Sequence, residues 1–293
     1  MASLFSSSTS NSTVNYSSAT DKGLCRGNNE DTVLSIPEKG LWLVADGMGG
    51  HEAGEVASAI VRDTVEENIN RGKSLSEAIQ QAHFAVLRAV NEGIGAAGMG
   101  STVVAISSQN QAYEVAWIGD SRAYLWSKRP DGGNLEQLTT DHSYVQMLLA
   151  SGIIGEDEVE NHPDKNVITQ CIGSLDMARL NVDTVHGKWE QEQWILLCSD
   201  GLTDEVNDKS IARLLCSVTS PKDAVNALMQ AALDSGGHDN ISIQVIESPL
   251  DQRSPLRFLW DWLPDITGSR LFDTTLYSLA LVSMVLTFYW VLT

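Results

Sequence analysis

Acidic residues stand beside glycines at several points along this sequence, and most of them adjoin a run of apolar residues. A carboxylate at the end of a strand is held rigidly, and a neighbouring glycine lets the backbone approach a ligand closely. Because like charges resist joint ionisation, several such carboxylates can converge only where cations neutralise them. The segments are Arg26-Gly-Asn-Asn-Glu30-Asp31, Asp46-Gly47-Met48-Gly49-Gly50-His51, Gly119-Asp120-Ser121-Arg122, Ser199-Asp200-Gly201-Leu202-Thr203-Asp204 and Gly237-His238-Asp239-Asn240.

These segments indicate a cation site only when they are taken together. A single Asp-Gly pair is more typical of a turn than of a ligand site. Five acidic segments in one chain instead predict a centre for hard cations, Mg²⁺ or Mn²⁺ rather than zinc, because the ligands are oxygens. The four cysteines are far apart and form no C-x-x-C pair, which is typical of plain thiols in a reducing compartment.

The elements that must position these acids can be read from apolar runs. Strands are predicted at residues 41–45, 101–107, 113–118, 123–126, 194–198 and 241–246. The Gly119–Arg122 segment between two of these runs predicts a hairpin. Helices are predicted over 52–70, from a capping box at Ser74 and Glu77, and from Pro221 to near Gly236. Two adjacent helices, and strands without helices between them, favour a layered α+β sandwich over a doubly wound sheet.

The ends of the chain differ in composition from the middle. Residues 1–13 are rich in Ser, Thr and Asn and predict a disordered lead, and 249–272 read as a linker. The last segment, 273–293, is predicted to be a transmembrane tail anchor. Its final 18 residues carry no charge and could span roughly 27 Å as a helix. Arginines before the anchor favour a cytoplasmic main domain. A buried C-terminal helix is the alternative.

The ordered set of acidic segments resembles the type-2C, metal-dependent serine/threonine protein phosphatase (PPM) family, and its compact bacterial branch in particular. The resemblance spans about 16–245 and makes 14–248 the catalytic domain. It implies a four-layer α/β/β/α sandwich of two antiparallel sheets flanked by helices. To this the sequence adds the C-terminal transmembrane helix.

The resemblance also implies a ligand set for two Mn²⁺ or Mg²⁺ ions and a third, weaker ion. Asp46 bridges two ions, and the Gly47 carbonyl binds one of them. Asp200 and Asp239 complete the other position. Asp120, together with Asp200, matches the third position.

Further residues of the motif receive roles around these ligands. The resemblance implies that Glu30 and Asp31 act largely through metal-bound waters, and that Arg26 holds the substrate phosphate through its planar guanidinium. Asn240 lies beside the last ligand and is expected to support it. Arg122 is predicted to have a structural role, with orientation of the Asp120 carboxylate or of a substrate as the alternative. Capping is the prediction for His142.

The implied reaction is hydrolysis of phosphoserine and phosphothreonine in proteins by a hydroxide that bridges two metal ions and attacks phosphorus directly. Phosphoproteins and an opposing serine/threonine kinase are the expected partners. Many family members have His where this chain has Met48, so the leaving-group acid must differ. A metal-bound water is preferred, and His51 is the alternative donor.

Three other functions deserve comparison with this prediction. A membrane-tethered phosphopeptide-binding pseudophosphatase is disfavoured because Arg26, Asp46, Asp200 and Asp239 are all present. A small-molecule phosphatase would use similar carboxylates and stays open. A nuclease, or any other nucleic-acid binder, is disfavoured by the net charge of −19.

Overall fold

The computed structural model describes residues 14–50, 53–129, 132–159, 162–177 and 179–250. The predicted disordered lead (1–13), most of the linker (249–272) and the tail anchor (273–293) lie outside these ranges, as does His51. In the described ranges, no helix combines the length and the apolar character needed to cross a membrane.

Two antiparallel sheets form the centre of the described domain. The first has the strand order β1-β11-β10-β7-β8 and the second β2-β3-β5-β6-β9, with β4 beside β3. The first sheet comprises β1 (Tyr16–Asp21), β7 (Arg122–Ser127), β8 (Asn134–Gln137), β10 (Gln193–Cys198) and β11 (Ile241–Glu247). The second comprises β2 (Asp31–Ile36), β3 (Leu41–Met48), β4 (Gly100–Ser101), β5 (Val103–Gln109), β6 (Ala112–Ile118) and β9 (Asp183–Lys188).

Helices cover the outer face of each sheet. The helices are α1 (Ala53–Asn70), α2 (Leu75–Asn91), α3 (Tyr144–Ala150), α4 (Glu156–Val159), α5 (Asp200–Thr203), α6 (Asp208–Ser217) and α7 (Pro221–Ser235). The predicted capping box is confirmed, because Ser74 and Glu77 exchange hydrogen bonds at the start of α2. Ser220 caps α7, with Pro221 at its first position, and Gly236 ends it.

Alternation along β3 shows how the layers are built. Leu41, Leu43 and Ala45 pack against α1 and α2, whereas Trp42 and Val44 pack between the two sheets. A third cluster joins the first sheet to α6 and α7. Since successive side chains of a strand point to opposite faces, both faces of β3 are buried. The predicted four-layer α/β/β/α order is confirmed for the described domain.

The predicted hairpin at Gly119–Arg122 is wrong. The strand before it, β6, pairs with β5 and β9, whereas β7 pairs with β10 and β8 in the other sheet. The segment is a crossover between sheets. Gly119 makes the sharp bend with φ +100°, and a Cβ there would lie 2.6 Å from the Thr102 side chain. The Gly-Asp sequence therefore indicated a turn correctly, but the partners of β6 and β7 are decided by distant strands.

Candidate active site

The two sheets bring acidic residues together at one end. Asp31 at the start of β2 lies directly opposite Asp46 near the end of β3. The Ser199 hydroxyl, at the end of β10 in the other sheet, donates to Asp31 Oδ2 at 2.8 Å. Ser199 therefore connects the acidic ends of the two sheets.

Asp200 and Asp239 reach the same place from neighbouring strands. Asp200 opens α5 directly after β10, and Asp239 lies two residues before β11, the partner of β10. The chains approach closely here, because a Cβ on Gly201 would lie 2.0 Å from the Asn240 carbonyl oxygen. Any residue other than glycine at position 201 would push the two segments apart.

Gly47 occupies a similarly tight position beside Asp46. A Cβ at Gly47 would lie 2.0 Å from the Gly54 carbonyl oxygen and 2.6 Å from the Glu30 carbonyl oxygen. The Gly47 N–H donates to that Glu30 oxygen at 3.1 Å. A Cβ on Gly54 would in turn lie 2.3 Å from Glu30 Oε2, so the Glu30 carboxylate faces the start of α1. These contacts hold Glu30 beside the Asp46–Gly47 pair.

Arg26 stands at the exposed rim of the cluster. Its Nη2 donates to Asp239 Oδ2 at 2.6 Å. Burial acts to lower the pKa of Arg26, but attraction to Asp239, Asp200 and Asp46 outweighs it and raises the pKa. A permanently charged planar donor thus lies beside the carboxylates, where it can bind an anion.

Asn240 helps to fix the Arg26 segment against Asp239. Its Nδ2 donates to the carbonyl oxygens of Lys22 and Asn28, each at 2.9 Å. Its Oδ1 accepts the Glu30 N–H at 2.7 Å. These three bonds span the 22–30 loop. Asn240 therefore holds this loop, and its expected support of a metal ligand stays a prediction.

Asp120 projects from the crossover between the sheets. Thr102 Oγ1 lies 2.7 Å from Ser121 Oγ and also accepts the Asp46 N–H at 3.1 Å, so the crossover is tied to β3. Arg122 does not hold the Asp120 carboxylate by a hydrogen bond. It forms a bidentate pair with Asp141, the shortest contact being 2.7 Å. This pairing supports the structural interpretation of Arg122.

Burial and mutual repulsion dominate the electrostatics of the cluster. Burial raises the pKa of Asp31 to about 7, even though hydrogen bonds from Ser242 and Ser199 counteract it. Burial, followed by repulsion from Asp31 and Asp200, raises the pKa of Asp46 well above its ordinary value.

The same causes act at the other carboxylates. Burial, and then repulsion from Asp239, raises the pKa of Asp200 to about 6. Burial, and then repulsion from Asp200, raises the pKa of Asp120 well above its ordinary value. The pKa of Glu30 is also raised, mainly by burial. Ionising all of these groups together therefore requires positive charge among them.

The carboxylate cluster fits hard cations. Among the described residues, buried Oδ1 atoms of Asp31, Asp120 and Asp200 have no hydrogen-bond partner. Buried acceptors without donors are costly unless something else binds them. No three His, Cys, Asp or Glu side chains in the described ranges form a group that could hold a metal ion by itself. The family resemblance implies that water and a backbone carbonyl contribute ligands as well.

A cleft of about 720 Å³ opens beside Asp120 and Asp200. One wall includes residues from 144–159 and 162–168, together called the flap below, which contain α3 and α4. At the mouth, Lys165 Nζ and Asn166 Nδ2 donate to the two oxygens of Asp204 at 3.1 and 3.0 Å. These two bonds fasten the flap to the end of α5.

Sequence reasoning missed two polar contacts of the site. Ser199 was overlooked, although it directly precedes Asp200 and a small hydroxyl next to a buried acid is a usable signal. The prediction that His142 caps a helix is wrong. Ser143 caps α3 by accepting the Gln146 N–H, and the His142 ring points instead to Gly119 and Asp183.

Comparison with known proteins decides the family. A model of the family described as Protein phosphatase 2C matches residues 26–235. The chain belongs to this family. It is a serine/threonine protein phosphatase whose cofactors are the Mn²⁺ or Mg²⁺ ions of the family.

Individual relatives agree with this membership. Serine/threonine phosphatase stp of Listeria monocytogenes is 32% identical over 247 residues, which are 80% of this chain and 96% of that protein. The crystal structure of Mycobacterium tuberculosis PstP/Ppp has a TM-score of 0.72 at 32% identity, covering 80% of this phosphatase and 98% of that chain. A PstP catalytic domain in complex with two manganese ions has a TM-score of 0.69 at 31% identity. The match covers 80% of this phosphatase and 97% of that chain.

Proposed function

We propose that the acidic ends of the two sheets form the catalytic centre and that phosphate is removed by direct attack of a water-derived nucleophile. The observation that carries this proposal is the convergence of buried, partly unpartnered carboxylates next to a guanidinium. Asp46, the Gly47 carbonyl, Asp200 and Asp239 are the proposed principal ligands. Asp120 is assigned to the weaker third position, and Glu30 and Asp31 to ligand waters.

The cations and the residues around them would have different roles in the reaction. Divalent cations, when bound, supply a nucleophile from water at neutral pH and positive charge near the phosphoryl oxygens. Arg26 binds the phosphate from the open rim, where its planar donors match two oxygens. Ser199 and Asn240 keep Asp31 and the Arg26 loop in place, so little reorganisation is needed during the reaction.

The cysteines support a mechanism without a covalent phosphoenzyme. Burial raises the pKa of the Cys198 thiol to about 12 and also raises that of Cys171. Such thiols are poor nucleophiles, since the thiolate is the reactive form. Cys25 is exposed and next to Arg26, so it is the cysteine to exclude by experiment.

The decisive experiment measures phosphate release from a phosphothreonine peptide by the full chain with and without Mn²⁺. Asp46→Ala and Asp200→Ala should each lower kcat by at least about 100-fold, because each removes a carboxylate that is proposed to hold the cations at the reacting phosphate. Cys25→Ser should keep the wild-type rate, and Asp63→Ala on the surface of α1 provides a matched carboxylate control.

Three outcomes would contradict parts of the proposal. Full activity in Asp46→Ala or Asp200→Ala would overturn the site assignment. Loss of activity in Cys25→Ser, with phosphate trapped on the wild-type protein, would replace direct attack by a covalent route. Release from nucleotides or other small phosphate esters, but not from the peptide, would favour a small-molecule phosphatase.

Two further proposals concern the surroundings of the phosphatase. We propose that it opposes a cytoplasmic serine/threonine kinase, whose substrates should gain phosphate when the phosphatase is removed. The uncharged sequence at 276–293 supports a membrane anchor. Cell fractionation tests this, because the full chain should sediment with membranes while a chain ending at residue 272 should not.

A further inference from the structure

His142 forms two hydrogen bonds with the turn that carries Asp120. The His142 N–H donates to the Gly119 carbonyl at 2.9 Å. In return, the Gly119 N–H donates to His142 Nδ1 at 3.0 Å. Gly119 has φ +100°, a conformation that leaves few alternatives for its backbone groups. These two bonds, together with the Thr102–Ser121 contact, hold the turn that carries Asp120.

The other side of the imidazole ring is also fixed. Because Nδ1 accepts from Gly119, Nε2 carries the hydrogen and donates to Asp183 Oδ2, at 3.1 Å. The ring stacks on Trp117 with an interplanar angle of 18°. Only 15% of the His142 side chain is exposed. The imidazole consequently has one orientation and one tautomer.

The backbone of His142 lies where the flap begins and ends. Its carbonyl accepts the Thr169 N–H at 2.7 Å, and the Tyr144 N–H donates to the Val167 carbonyl at 2.8 Å. These two bonds close the base of the flap. His142 is thus in contact with the flap base on one side and with the Asp120 turn on the other.

We propose that His142 is a positioning residue that couples the base of the flap to the Asp120 carboxylate. Substrate bound under the flap then acts on the same rigid unit that presents Asp120 to the cleft. The inference deepens the proposed function, because it rests on the assignment of Asp120 to the third cation position. A residue that merely fills space would stabilise the fold without controlling Asp120.

The test compares His142→Ala with His142→Asn in the full chain. Asparagine places Oδ1 near the position of Nδ1, so it can accept the Gly119 N–H although it cannot reach Asp183. His83→Ala is the matched control, since buried His83 accepts the N–H of another glycine, Gly173, at 3.1 Å. The hydrogen bonds of the His83 ring join Met177 and Gly173, away from the Asp120 turn.

Three measurements distinguish positioning from simple stability. Hydrogen exchange at the Gly119 amide, measured without metal by residue-resolved mass spectrometry, should be about tenfold faster in His142→Ala. Calorimetric titration without substrate should show about tenfold weaker Mn²⁺ binding at the weakest site. On a phosphopeptide, kcat should fall about tenfold with KM changed less than about twofold. His142→Asn should recover each value to within about threefold, and His83→Ala should change none of the three.

Asp120→Ala separates this inference from the proposed function. An unchanged Mn²⁺ titration in Asp120→Ala would overturn the assignment of Asp120, and the coupling with it. A changed titration in Asp120→Ala together with an unchanged one in His142→Ala would overturn the coupling alone. Equal losses in His142→Ala and His142→Asn, with Gly119 protected in the latter, would also overturn it.

Discussion

Arg26 combines an exposed position with a tight ion pair. Its side chain is 54% exposed, yet Nη2 lies 2.6 Å from Asp239 Oδ2. An exposed ion pair contributes little to stability, typically less than about 1 kcal/mol. The guanidinium is therefore better explained by a binding role than by a folding role, and substitutions should affect phosphate binding before stability.

Arg26→Lys retains the charge and removes the planar fork, which predicts a defect in substrate binding. We expect KM for a phosphopeptide to rise about tenfold, with a larger rise in Arg26→Ala, because a bidentate contact to phosphate is lost. Steady-state kinetics at saturating Mn²⁺ measure this. Arg71→Lys is the matched control, since Arg71, directly after α1, forms an ion pair with Glu67 at the same 2.6 Å distance. Equal KM values for Arg26→Lys and wild type would rule out phosphate binding by Arg26.

At the scale of elements, loops and strands are joined by single polar side chains. The Asn240 side chain hydrogen-bonds to backbone groups of Lys22, Asn28 and Glu30 in the loop before β2. In Asn240→Ala all three backbone groups lose this partner. We expect the free energy of unfolding, measured by urea titration without metal, to fall by about 2–4 kcal/mol.

Asn240→Asp is the informative control for this prediction. Aspartate keeps an oxygen that can accept the Glu30 N–H, but it cannot donate to Lys22 and Asn28. A loss of stability at least as large as that in Asn240→Ala is therefore expected, because a carboxylate oxygen would face two carbonyl oxygens beside Asp239. A loss below about 0.5 kcal/mol in Asn240→Ala would show that the loop is held by other contacts.

The sequence allowed prediction of those elements whose determinants are local. The Ser74 capping box, the start of α7 at Pro221 and the apolar run of β3 each depend on neighbouring residues, and each was found. Contacts between residues far apart in the sequence were not predicted. Ser199 bonds Asp31 across 168 positions, and β7 joins a different sheet from β6, because strand partners depend on the whole sandwich. Most acids of the site adjoin a local strand signal, and the family resemblance supplied the role expected of each.

At the scale of the whole molecule, the sandwich places the carboxylates where they resist ionisation. Burial raises the pKa of Asp31 from 3.8 to about 7 and that of Asp200 from 3.8 to about 6. A group with a raised pKa binds its proton more tightly in the folded state than in the unfolded state. Stability of the metal-free protein must then fall as pH rises from about 4 to about 7, because the folded state has to give up protons that the unfolded state has already lost.

Metal binding should remove this dependence on pH. Between pH 5 and pH 8 we expect the Tm of the metal-free phosphatase to fall by about 5 °C or more. With millimolar Mn²⁺ the fall should disappear, because cations favour the ionised carboxylates and bind the folded state more strongly as pH rises. Differential scanning calorimetry with and without a chelator measures both curves. Asp31→Asn should flatten the metal-free curve, since its amide has no charge to bury, whereas Asp63→Asn on α1 should not. A metal-free Tm that rises from pH 5 to pH 8 would mean that these carboxylates are ionised without cations, and the physical basis for placing metal ions among them would be lost.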